Sequence, residues 1–174
     1  MGNRFYGYRT IQLELPDGRD ATYHGVDVGS CVHTVGTDED ETTCFVRQPR
    51  PNIWSGSGPI PYTLELPGGF ADPELSPLES ARREFAQEIG LRPTRMELLG
   101  SVWPSTGIST EVDTIFLGTE MVPDLEATFQ REATEQDIRI VTMPFGVAYE
   151  RFTSGQDIVS AQTISALALA KRFL

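Results

Sequence analysis

Basic side chains are scarce in this sequence. Fourteen Lys and Arg face 25 Asp and Glu, giving a formal net charge of −11 and a pI near 4.6. Without a basic footprint, a nonspecific nucleic-acid binder or a protein held to an anionic membrane surface is disfavoured, so neither partner is expected. A phosphate-bearing substrate is not excluded, since phosphate-transfer sites are often acidic and recruit it through a divalent cation. Cysteine is nearly absent too. Cys31 and Cys44 lie in apolar, strand-like stretches and read as buried thiols in a reduced compartment, not as a disulfide framework or a metal pair. The two histidines, His24 and His33, have no Cys or His at zinc-finger spacing and read as ordinary strand residues. A histidine-centred triad is therefore a poor reading. No apolar run reaches the length of a membrane span, and the start MGNRFYGYRT has no apolar signal core, so a cytoplasmic location is expected.

What is present suits one mixed α/β unit. The 174 residues are 39% hydrophobic and 22% charged, enough for an ordinary core. Ile11, Leu13 and Leu15 alternate before the turn Pro16-Asp17-Gly18, and Ala21–Val28 completes a predicted hairpin. Ser30–Val35 and Thr43–Arg47 are predicted strands around the acidic run Thr37–Glu41, read as a solvated hairpin tip. Gln48–Pro61, rich in Pro, Gly and Ser, is a predicted loop carrying Arg50 and Trp54. Tyr62–Leu66 returns to a strand, stopped by Pro67-Gly68-Gly69. Further strands are predicted at Met96–Val102, Val112–Gly118 and Ile138–Met143, and a mostly buried helix over Ile158–Phe173.

The best-marked helix begins after Leu75. Ser76 is an N-cap residue type, Pro77 fits the first helical position, Glu79 completes an S-x-x-E capping box, and Gly90 suits the end. Ala81, Phe85 and Ile89 recur every four residues as a core stripe, while Glu84, Gln87 and Glu88 share another face. Two carboxylates side by side repel each other, and a divalent cation held between them would offset that repulsion.

The segment from Gly69 to Leu91 resembles the Nudix box, G-x5-E-x7-R-E-U-x-E-E-x-G-U with U an apolar residue. Gly69, Arg83, Glu84, Phe85, Glu88, Gly90 and Leu91 stand at its positions. Leu75 replaces the first Glu, and Gln87 replaces the middle acid of the helix. The flanks are similar to the ADP-ribose pyrophosphatase-like branch. They comprise the N-terminal hairpin, Val46–Arg50, Glu65–Gly69, the loop Trp103–Glu111 resembling P-S-P-G-x-S-x-E, and Ser154–Ile158 leading into Gln162-Thr163-Ile164.

The resemblance implies a Nudix α/β/α sandwich with a mixed sheet at 30–174. Residues 1–29 would be an antiparallel β extension of the kind that homodimers of the branch exchange. It implies hydrolysis of the pyrophosphate of a nucleoside-diphosphate sugar, ADP-ribose first, to AMP and ribose 5-phosphate. Mg²⁺ or Mn²⁺ would be held by Glu84, Gln87, Glu88 and the Gly68 carbonyl. Glu84, Glu88 and the loop residue Glu135 would carry the catalysis, with Glu132 an alternative to Glu135. Arg50, Glu65 and Glu111 would contact the substrate. Arg83 would tie the box loop to its helix, although with Leu75 at its usual partner position it reads almost equally as a surface arginine. Trp54 and Trp103 would stack on a base or ribose, with core or dimer packing an even match for each. Other readings stay open: a different nucleotide sugar or a dinucleotide as substrate, or a catalytically weak Nudix domain that binds nucleotide without turnover. Leu75, Gln87 and the displaced acids of Thr134–Asp137 favour the last of these.

Overall fold

In the computed structural model, residues 6–124, 137–155 and 157–174 are described. Nine strands and three helices follow one another among them: β1 Tyr6–Glu14, β2 Asp20–Val28, β3 Cys31–Gly36, β4 Thr42–Pro49, β5 Tyr62–Glu65, β6 Gly68–Phe70, α1 Pro77–Ile89, β7 Leu91–Val102, β8 Asp113–Pro123, β9 Arg139–Pro144, α2 Phe145–Thr153 and α3 Ala161–Ala170.

β1 and β2 form a separate hairpin. The order β6-β3-β8-β7 makes a mixed sheet in which β3 and β8 run parallel, and β5-β4-β9 makes a second, antiparallel sheet. Side chains alternate across a strand, so each β3 face has its own helix layer. Val32 packs with Ala81 of α1, and Val35 joins Phe45, Ile115, Phe152 and Leu167 in the core under α2 and α3. That core includes the edge-on pair Phe45–Phe152, with centroids 5.0 Å apart. Cys44, Val46, Phe85 and Ile89 fill the α1 side. The α/β/α layering is the one expected.

Helix α1 starts and stops where its sequence signals stand. The Ser76 hydroxyl accepts from the Glu79 N–H at 3.2 Å, and the Glu79 carboxylate accepts from the Ser76 N–H at 3.1 Å. Gly90 closes the helix at φ 77°, a left-handed conformation that costs glycine nothing. The Thr37–Glu41 acids are exposed as expected, but the turn joins β3 and β4 in two different sheets instead of closing a hairpin. There the Asp38 carboxylate accepts from the Asp40 and Thr42 N–H groups at 3.0 and 2.8 Å.

Two elements differ from expectation. Gly68 and Gly69 do not merely end a strand, because they pair with His33 and Val32 as the edge strand β6. A Cβ on Gly68 would lie 2.2 Å from the Val32 carbonyl oxygen, so only glycine permits that approach. Phe145–Thr153 is a helix that the reading missed, although Phe145, Ala148 and Phe152 are its buried residues at helical spacing. Among the described residues no helix is long and apolar enough to cross a membrane.

Candidate functional site

Strand β6 and helix α1 bring the box residues together at one place. The side of β6 that faces α1 carries no side chain at Gly69. A Cβ there would stand 2.7 Å from Oε2 of Glu84, so glycine is what lets this carboxylate lie against the strand. One turn further on, Glu88 is only 8% exposed and its Oε2 accepts the Gly68 N–H at 2.9 Å. Gln87 is half-buried on the same helix. The Gly68 backbone, Glu84 and Glu88 thus form one oxygen-rich corner, with Gln87 on the same helix between the two carboxylates in sequence.

Arg83 has a partner after all. Its Nη1 donates to the Asp72 carboxylate at 2.8 Å, and its Nη2 lies 3.4 Å from Glu84. Asp72, three residues before Leu75, supplies the acid missing from the box pattern and ties the box loop to α1. Leu75 itself is exposed. This ion pair, with the charges of Asp72 and Glu84, raises the pKa of Arg83.

Arg50 and Glu65 are joined on the neighbouring sheet. Nε and Nη2 of Arg50 donate to the two Glu65 oxygens at 2.7 and 2.5 Å, a bidentate pair. The Thr63 hydroxyl donates to the same carboxylate at 2.5 Å. Burial pushes Glu65 upward, but the Arg50 and Thr63 bonds outweigh it and leave the carboxyl below its usual range. The Arg50 pKa is raised, first by its bond to Glu65 and further by the charges of Glu65 and Glu88, which places Arg50 within electrostatic reach of the box.

Glu111 sits elsewhere. Its Oε1 lies 3.8 Å from Sγ of Cys31, and it also bonds Gln162 of α3. Cys31 belongs to the β3 face that looks toward α3, so Glu111 and Glu84 occupy opposite faces of the β3–β6 pair. Trp54 and Trp103 are both exposed, which removes core packing as their role, and the Trp54 indole N–H donates to the Ser57 and Gly58 carbonyls. Glu132, Glu135 and Gln136 lie outside the described residues. Asp72 is the functional residue that motif spacing missed. Its signal was an acid in the turn before the N-cap.

The model of the NUDIX domain family matches residues 30–153. The chain belongs to that family. It is a Nudix hydrolase. The matched residues span every Nudix element from β3 to α2 and leave the β1–β2 hairpin outside. A curated protein of Streptomyces rubellomurinus, CMP-5′-(N-acetyl-N-hydroxy-3-aminopropyl)phosphonate hydrolase, is 28% identical over 172 residues, covering 96% of this chain and 76% of that protein. The crystal structure of an ADP compounds hydrolase superposes with a TM-score of 0.82 at 20% identity, over 100% of this chain and 89% of that one, and establishes the Nudix fold.

Proposed function

We propose that this Nudix hydrolase cleaves the pyrophosphate of a nucleoside-diphosphate sugar, with ADP-ribose as the first substrate and AMP and ribose 5-phosphate as products. The observation that carries the reading is the corner where Glu84 lies against Gly69 and Glu88 grips the Gly68 N–H. Its donors are all oxygen: two carboxylates, the Gln87 amide and the Gly68 carbonyl. That set fits a hard divalent cation, Mg²⁺ or Mn²⁺. When bound, such a cation neutralises pyrophosphate charge and lowers the pKa of the attacking water.

The chain's own residues position the rest. Glu88 holds the Gly68 peptide in place, and Arg83, anchored on Asp72, orients Glu84. Arg50, held by Glu65, offers a pre-oriented guanidinium to a phosphate, and Glu65 reaches the substrate only through it. Gln87 supplies an amide oxygen where a carboxylate would bring charge, which weakens cation binding. Glu135 is the proposed base.

A second reading is favoured by the Streptomyces relative, whose name specifies a CMP-linked phosphonate. On that reading the same corner acts on a cytidylyl conjugate. A product assay on ADP-ribose, a second nucleotide sugar, a dinucleotide and a CMP-linked phosphonate, with Mg²⁺ or Mn²⁺, separates the cases. Glu88→Gln should lose at least about a hundredfold in kcat, and Gln87→Glu should lower the Mg²⁺ concentration needed for half-maximal rate. Turnover on none of the four, with nucleotide binding retained, would make the domain a binding module.

The domain boundaries are part of the proposal: 1–29 a β extension and 30–174 the Nudix domain, assembled as a cytoplasmic homodimer. Support for the dimer comes from the hairpin, which exposes Tyr8 on one face and Leu13 and Tyr23 on the other.

A further inference from the structure

Across the β3–β6 pair from the box lies a polar cluster separate from the oxygen-rich corner. Cys31 and His33 project from β3 toward α3, Asp113 begins β8 opposite Cys31, and Glu111 stands two residues earlier. One ligand atom from each of Cys31, Glu111 and Asp113 lies within 4.8 Å of the others. Nε2 of His33 is 3.7 Å from Oδ1 of Asp113, beside this group of three.

The decisive feature is Asp113. It is fully buried, and neither carboxylate oxygen has a well-aligned hydrogen-bond donor, only the neighbouring Cys31 thiol, while the buried Nε2 of His33 has none. A buried carboxylate with unmet oxygens costs several kcal/mol unless something neutralises it. A soft thiol and two carboxylates that converge, with an imidazole beside one of them, are the donors of a transition metal rather than of Mg²⁺. In a tetrahedral zinc site with bonds of about 2.0–2.3 Å, neighbouring ligand atoms stand roughly 3.3–3.7 Å apart. The Cys31–Glu111 and His33–Asp113 separations are 3.8 and 3.7 Å, and the His33 ring, outside the mutual group, would have to turn inward to complete the set.

We propose that Cys31, His33, Glu111 and Asp113 form a second, structural metal site for a zinc-class divalent ion, separate from the oxygen-only corner of the box. Binding deprotonates the Cys31 thiol, forms the metal–sulfur bond and releases that proton to solvent. Burial and the neighbouring Asp113 and Glu111 charges keep this thiol protonated in the metal-free protein. The ion would brace the start of β3 against β8 and α3, directly behind the strand that presents Gly68. His33 reads in sequence as an ordinary strand residue because its co-ligands are remote along the chain and include no second histidine.

Cobalt(II) reports on the site directly, because a thiolate ligand gives an intense near-ultraviolet charge-transfer band that oxygen ligands do not. The full chain, purified with chelator and returned to excess Mg²⁺, is titrated with CoCl₂. The proposal expects the band to saturate at one equivalent, to persist in Cys44→Ser, to vanish in Cys31→Ser, and to disappear when ZnCl₂ is added. The chain has two cysteines, so a band that persists in Cys44→Ser belongs to Cys31 even if Cys31→Ser fails to fold. His33→Gln, checked by circular dichroism, should bind cobalt roughly tenfold more weakly or worse. No band in the wild type at saturating cobalt would overturn the site and leave the carboxylates sharing a proton instead. So would a band surviving in folded Cys31→Ser, or unchanged affinity in folded His33→Gln.

Discussion

At the scale of single residues, the site depends on carboxylates held in different ways. Glu65 is the most tightly partnered, with a bidentate arginine and a threonine hydroxyl around an almost buried head group. Arg50→Ala leaves that carboxylate with Thr63 alone and should cost about 1–3 kcal/mol, the penalty for stranding a buried charged acceptor. The side chain of Arg50 is close to half exposed, so water screens part of the loss and the lower end is expected. Chemical denaturation at pH 7 measures it. The pH dependence has a fixed sign. Because the folded-state pKa of Glu65 lies below its unfolded value, the stabilisation is present above the unfolded pKa and is lost as pH falls through the folded one. In Arg50→Ala the acid limb of the stability profile should therefore flatten. A limb as steep as in the wild type would show that Glu65 contributes little to it.

Elements carry the next level, and the close approach of β6 to α1 is the one that matters. Gly69→Ala would place a methyl group 2.7 Å from Oε2 of Glu84, so the carboxylate must swing away while the rest of the helix keeps its packing. Activity should fall by at least about tenfold with a shift in Mg²⁺ requirement, whereas the melting temperature changes little; parallel assays of rate and melting separate the two. Ser76→Ala instead removes the hydroxyl half of the reciprocal cap, leaving the Glu79 carboxylate on the residue-76 N–H, and should cost about 1 kcal/mol with activity at saturating Mg²⁺ retained. Legibility followed the same division. Helix α1 could be read from Ser76 to Gly90 because its cap, stripe and stop are local signals, and its acids are marked by i, i+3, i+4 spacing. The strand character of Gly68–Phe70 could not be read, since glycine has no strand propensity and the pairing with β3 is made by the tertiary fold. Asp72 as the partner of Arg83 left only a faint signal, an acid in the turn before the N-cap, because the box pattern places that acid three residues later. The face shared by Cys31, His33, Glu111 and Asp113 could not be read either, since it depends on the parallel pairing of β3 with β8.

Over the whole molecule, the acidic surplus and the N-terminal hairpin bear on the same question. Among the described residues, the hydrogen bonds that fasten the hairpin to the rest of its own chain gather at one end. Val26 donates to the Ile108 carbonyl at 2.7 Å and accepts from the Thr110 N–H at 3.1 Å, and the Tyr6 ring meets Phe70 edge-on. Tyr8, opposite Val26, and Leu13 and Tyr23 further out leave both faces exposed, and an isolated two-stranded hairpin is at best marginally stable in water. A second copy covering those faces would supply the missing burial. Each protomer brings a net charge of −11, so association works against long-range repulsion that salt screens. Light scattering should give about twice the 19.3 kDa chain mass, with the dimer strengthening as salt rises from low to physiological concentration. Tyr8→Ser combined with Tyr23→Ser should shift the mass to one chain. These side chains are already exposed, so the Nudix core should lose no more than about 0.5 kcal/mol per substitution. A monomeric wild type at working concentration would sink the dimer and leave the hairpin as a clasp on the Ile108–Thr110 loop of its own chain.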